Sequence, residues 1–232
     1  MCARKIDSKL PKPGRSQATR TKIMRAAEKL FGDYGIDGVA LREVSTKAGQ
    51  KNPNSVQYHF GGRLELLNAI FVFREEKFQT LREEMLAEAE QHNRTDDVRY
   101  LLRICFLPYL EHYKETNNVS FIKVYAAYLQ SQRPHGVPHP FDTGEPCLEG
   151  FRRANRLLRE RLYHLEKPLF DLRIESVAAM YLSTLVQHSA REPHERADVD
   201  VLFEDVLGMM TAAMMAPPYP CAKTKARMAA LP

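Results

Sequence analysis

AGQKNPNSVQYHFGGR, residues 48–63, sets Pro53 between two asparagines and then places Val56 and Phe60 four residues apart among hydrogen-bonding side chains. Ala48-Gly49 reads as the end of one helix. Asn52 reads as an N-cap and Pro53 as a first helical residue, where a missing N–H costs nothing. Val56 and Phe60 share one face of the short helix that follows, and Gly61-Gly62 stops it. The stretch predicts a brief helix with an apolar inner face and an unusually polar outer one.

Helical periodicity lies on both sides. Ile23, Ala27, Leu30 and Phe31 repeat at three and four, and Gly35 closes that helix. Leu41, Val44 and Ala48 mark a second, short one. After the quoted stretch a long helix begins near Arg63, with a stripe of Leu64, Leu67, Phe71, Phe78, Leu81 and Met85, broken at Arg74. Five more helices are predicted, near 96–115, 119–132, 146–166, 169–191 and 198–216, with Pro108 kinking the first of them. The segment RPHGVPHPFDTGEP, residues 133–146, reads as a long ordered loop or a mobile flap. No convincing period-2 pattern occurs. The expectation is an all-α chain of about nine helices. A disordered basic arm covers 1–15, a helix-turn-helix domain 16–62, a larger helical domain 63–216 and a flexible tail 217–232.

Charge is uneven along the 232 residues. Residues 1–63 hold 13 Lys/Arg against 5 Asp/Glu, whereas the remainder holds 21 against 24. A basic first quarter on a slightly acidic body points to a polyanion partner for that quarter. No apolar run is long enough to span a membrane, and no signal peptide is expected from the first residues. Cys2, Cys105, Cys147 and Cys221 lack metal or redox spacing, so thiols in a reducing cytoplasm are expected.

A helix, a turn and a short second helix form the arrangement that inserts its second member into a DNA major groove. The groove shows each base pair's own donors and acceptors, which Asn, Gln, Arg and Lys can read. Asn54 and Gln57, three apart on the outer face, are the leading candidates for base edges, with Lys51, Asn52 and Ser55 beside them. Tyr58, His59 and Arg63 come late in the helix or just beyond, where phosphates are the expected target, and Arg42 and Arg20 join them.

Residues 16–75 resemble the amino-terminal domain of the TetR family of bacterial transcription regulators. The motifs are RTKIMRAAEKLFGDYGIDGVALREVSTKAG and VQYHFGGRLELLNAIF, with Ala26-Ala27, Leu30-Phe31, Ala48-Gly49, His59-Phe60 and Arg63 in register. Three departures stand out. The turn before the third helix is one residue longer, Ala40 replaces a capping Ser or Thr, and Gln57 stands where Tyr is common. The resemblance implies a homodimer on a pseudo-palindromic operator, released when a small, largely apolar molecule enters the larger domain. It also implies a dimer interface from the last two helices, for which Met180, Tyr181, Leu185, Phe203, Leu207 and Met210 are the candidates.

Tyr100, Phe106, Tyr109, Tyr113, Phe121, Tyr125 and Tyr128 are either ordinary core aromatics or the wall of an effector pocket. His135, His139 and Cys147 lack the spacing of a compact metal site, and no metal or cofactor is expected. No Gly-rich phosphate loop or nucleophile elbow is present, so no enzymatic activity is expected. The alternatives are a TetR-like sensor that answers to a protein partner, and an all-α enzyme.

Overall fold

The computed structural model describes residues 13–218, so the expected arm and tail lie largely outside the described residues. Ten α-helices and three short 3-10 turns form, with no strand among the described residues. The chain is all-α, as its periodicity predicts. It makes two compact units. One takes the chain up to Glu75 together with Ser120–Thr143; the other takes Glu76–Val119 and the chain from Gly144 onward.

In the first unit α1 (Pro13–Tyr34) opens on a proline three residues earlier than expected. It buries Ile23, Ala27 and Phe31. Gly35, at φ 82°, turns the chain out of it. The next helix, α2 (Leu41–Lys47), has Ala40 at its cap position. The Glu43 carboxylate compensates by accepting the Ala40 amide at 3.2 Å. The third, α3 (Ser55–Phe60), begins two residues later than expected, because Asn52 first closes a tight turn. Its Oδ1 accepts the Asn54 amide at 2.9 Å and its carbonyl accepts the Ser55 amide at 3.1 Å. Pro53 therefore sits in the turn, which absorbs the extra residue.

The long helix α4 (Arg63–Gln91) contributes its first half to this unit. Leu64 is exposed rather than part of the buried stripe, and Arg74, expected to interrupt that stripe, is buried. Arg74 pairs with the equally buried Glu28 of α1. The sequence groups α6 (Ser120–Ser131) with the larger domain, but it packs on α1. A Cβ at Gly32 would come within 2.9 Å of the Ser120 carbonyl oxygen, so glycine permits the approach. Lys123 meets Asp33 at 3.3 Å and Gln132 donates to Asp37 at 2.6 Å.

The proline-rich segment that follows is strapped down. It includes the four-residue α7 (Pro140–Thr143), the one helix beyond the expected nine. Arg133 pairs with Asp142, Asp142 accepts the His139 amide at 2.8 Å, and the Tyr128 hydroxyl donates to the Val137 carbonyl at 2.7 Å. The His139 ring is buried and stacks on Tyr125 with centroids 5.2 Å apart.

The second unit holds the rest of α4, α5 (Val98–Thr116), α8 (Glu149–Arg161), α9 (Lys167–Ala190) and α10 (Val199–Met215). Asp97 and Asp198 cap α5 and α10 by accepting amides of their first turns. Helix α5 runs through Pro108 and packs against both α8 and α10. Cys105 and Cys147 form no disulfide; Cys2 and Cys221 lie outside the described residues. No described helix is long and apolar enough to cross a membrane.

Candidate nucleic-acid interface

A six-residue helix cannot hold its own shape in water, so α3 depends on what it packs against. Val56 is fully buried and Ser55 nearly so. Gly61, at φ 97°, ends the helix and donates its amide to the Gln57 carbonyl at 3.0 Å. Arg20 of α1 donates to the His59 carbonyl and lies over the Phe60 ring, 4.1 Å from its centroid. Arg63 donates to the Ile36 carbonyl in the turn between α1 and α2, with its guanidinium 5.8 Å from the Phe31 centroid.

What α3 leaves outside is a polar ridge. Asn54, Gln57 and Tyr58 are exposed at spacings of three and four, which puts them on one face. Tyr58 is 71% exposed and meets the His59 ring edge-on at 4.9 Å. Lys51 and Asn52 are exposed in the preceding turn, and Arg42, Thr46 and Lys47 are exposed along α2. The ridge offers amides for base edges and cations and hydroxyls for phosphates.

Three of the expected contact residues are engaged within the chain itself. Ser55 is buried, and its hydroxyl donates to the Asn52 carbonyl at 2.6 Å rather than facing outward. Arg20 and Arg63 turn inward onto backbone carbonyls, because those carbonyls and the rings beside them lie within reach of the long side chains. His59 is part-buried. Burial, then the positive charge of Arg20, holds its imidazole below the ordinary pKa, so near neutral pH it offers an N–H rather than a charge. Asn52 is exposed, but its side-chain oxygen already accepts the Asn54 amide.

Thr46 and Lys47 were not singled out from sequence. Their signal is the i, i+4 pairing of Thr46 with Arg42, on the side of α2 opposite the buried Val44. They border an open concavity of about 740 Å³ that also involves Tyr34 and Pro53.

Five of the seven aromatics read as either core or pocket wall fall into two separate groups. Phe121, Tyr125 and Tyr128 cluster with Phe71 in the first unit. Phe106 and Tyr109 belong to the second unit, where Tyr109 meets Phe78 and Phe106 meets Tyr181, which in turn meets Phe203. Tyr100 stands apart under the Arg94 guanidinium. The Tyr113 hydroxyl lies 3.2 Å from His188 Nδ1, and His188 Nε2 lies 3.0 Å from the Ala197 carbonyl. Nε2 facing a carbonyl must carry a proton, and in the neutral ring Nδ1 then accepts from the Tyr113 hydroxyl.

Of the expected dimer contacts, Tyr181, Leu185, Phe203, Leu207 and Met210 are each 2% exposed or less within the single chain. They are core, not surface. Met180 alone of the six is part-exposed.

Short helices that hold a polar ridge outward on an all-α body define a helix-turn-helix DNA-binding transcriptional regulator. Residues 23–70 match the bacterial regulatory proteins of the tetR family, so the family likeness rests on this amino-terminal segment. Among curated proteins no sequence matches the chain. Among solved structures, it resembles a mutant of HlyIIR at 17% identity, covering 87% of this chain and 100% of that one, with a TM-score of 0.49. The multidrug binding protein EbrR complexed with imidazole is 20% identical, over 94% of this chain and 100% of that one, with a TM-score of 0.45. PfmR, a TetR-family transcriptional regulator from Thermus thermophilus, is 19% identical over 90% and 92% of the two chains, with a TM-score of 0.39.

Proposed function

We propose that the chain is a homodimeric repressor that reads a pseudo-palindromic operator through Asn54, Gln57 and Lys51 and releases it on binding a small, largely apolar effector. In this reading residues 16–62 serve DNA, residues 63–216 serve the effector and the dimer, and the protein acts in the cytoplasm. The observation that carries it is the polarity of α3. Asn54, Gln57 and Tyr58 stand exposed on a helix whose inner residue Val56 is fully buried. One helix this short reaches few base pairs, and a second copy on the same duplex face doubles them.

Support for self-association comes from α9 and α10. Outside the core they leave Leu172, Val201, Met209 and Met215 between 52% and 65% exposed. Four large apolar side chains in water on the last two helices favour burial against a second copy. The effector reading is supported by the chain of rings in the second unit, Phe78–Tyr109 and Phe106–Tyr181–Phe203, which is apolar with phenol hydroxyls at intervals.

The experiment is enrichment of duplexes from a random-sequence pool by the full-length chain. The expected outcome is a two-fold symmetric consensus with half-site centres separated by about 10 base pairs or a multiple of it. Affinity for it should fall steeply with salt. Retention of all sequences alike, or of none, would overturn the reading.

A further inference from the structure

We infer that Arg20 and Arg63 are positioning residues that set the pose of α3, and do not contact DNA phosphates. The inference rests on the DNA-binding reading above. Type and location make both residues natural phosphate ligands, and their geometry gives them another task.

Helix α3 ends in carbonyls with no partner inside the helix, and a cation is favoured at that end. Arg20 supplies it from α1, donating to the His59 carbonyl while its guanidinium covers Phe60. A planar guanidinium can donate and stack at once, which an ammonium cannot copy. The lowered pKa of His59, caused first by burial and then by the Arg20 charge, is consistent with a cation held close behind the helix end. The chain then reverses through Gly61 and Gly62, and Arg63, the first residue of α4, donates to Ile36 between α1 and α2. The two arginines thus tie the end of α3 and the start of α4 to α1 and its turn, leaving Arg42, Lys47 and Lys51 as the outward cations of the ridge.

The test uses the full chain, a duplex enriched from a random pool, and a randomised duplex of the same length. Removing a phosphate contact lowers the salt slope by about one and weakens all sequences alike. Removing a positioning residue leaves the slope and erodes the ratio of selected to random binding. Arg20→Met and Arg63→Met should each bind the selected duplex about tenfold more weakly, as expected for losing one charged hydrogen bond, with unchanged slope and a reduced ratio. Arg20→Lys should recover only part of the loss. Lys47→Met should do the opposite, lowering the slope at constant ratio.

Amide exchange without DNA gives an independent arm. The Gly61 amide should exchange faster in Arg20→Met while the middle of α1 stays protected. A slope lowered by about one with an intact ratio in the two arginine variants would overturn the inference. So would unchanged Gly61 exchange. If the wild-type chain binds no duplex in a salt-dependent way, the DNA reading itself fails, and the exchange arm still decides whether the clamp exists.

Discussion

Arg74 Nε donates to Glu28 Oε2 at 3.0 Å, and its Nη2 meets the other carboxylate oxygen, so the two side chains form a bidentate pair shielded from water. The pair ties α1 to the first half of α4. Two buried charges tolerate each other well and tolerate solitude badly. Glu28→Gln or Arg74→Met alone should therefore cost about 3–5 kcal/mol, while Glu28→Leu with Arg74→Met should be close to neutral. Urea denaturation of the two single variants and the double variant measures this. Additive losses would mean that the pair is not the unit of stability.

Gly32 lies against the amino-terminal end of α6. Its missing Cβ leaves the Ser120 carbonyl where a methyl group would otherwise intrude. Backbone cannot move aside as a flexible side chain does. Although alanine is the better helix former, Gly32→Ala should destabilise the chain by about 1–3 kcal/mol through overpacking. A thermal melt showing stabilisation instead would mean that α6 is not seated on α1 as described.

Val201 and Met209 occupy the exposed side of α10, while Leu207 on the same helix is fully buried. Val201→Glu with Met209→Glu should yield a folded monomer by light scattering. The helical signal and melting cooperativity should stay close to wild type. A dimer that persists would place self-association elsewhere.

Gln57 projects outward and Ser55 inward. Gln57→Ala should relax preference at one position of each half-site, a loss of about 1–3 kcal/mol in discrimination. Ser55→Ala should affect stability before specificity, since its hydroxyl serves the Asn52 carbonyl. Binding to a panel of singly substituted duplexes separates the two. Unchanged preference in Gln57→Ala would mean that the ridge faces another way.

His59 titrates below its ordinary value of 6.5 because burial and then Arg20 disfavour the imidazolium. The folded state thus binds its proton less readily than the unfolded chain. The site makes no difference to stability well above 6.5, where both states are neutral. Stability is lost as pH falls from there through the folded pKa. DNA phosphate has the opposite preference and favours the charged ring. Affinity for DNA should therefore rise on acidification from about pH 7.5 to about pH 5.5 by more in the wild type than in His59→Gln. Equal pH profiles would remove His59 from the interface.

Much of this was legible in the residues themselves. Helix order and most boundaries follow from local signals, because periodicity, glycine stops and caps act within a few residues. The polar ridge at Asn54 and Gln57 was legible for the same reason, since Val56 and Phe60 fix which way a short helix faces. What local reading did not supply are the contacts distant in sequence. Arg20 finds its acceptor 39 residues away and Arg63 finds its own 27 residues away. Arg74, which looked like a break in an apolar stripe, has its counter-charge 46 residues away.

The division of the aromatic set between two groups also depends on contacts distant in sequence. Helices α5 and α6 are neighbours in the chain, separated by three residues, yet Gly32, Asp33 and Asp37 draw α6 to α1. The extra residue in the turn before α3 was visible by count, but only the Asn52 turn showed that α3 begins at Ser55.

By itself, then, the sequence determined an all-α chain with a helix-turn-helix start and a basic first quarter, because those properties reside in spacing and composition. Only the tertiary structure decided which arginines face outward, which unit holds α6 and which apolar residues of α9 and α10 remain on the surface. Long side chains and amphipathic helices have several satisfactory orientations locally, and only the packed neighbours select among them.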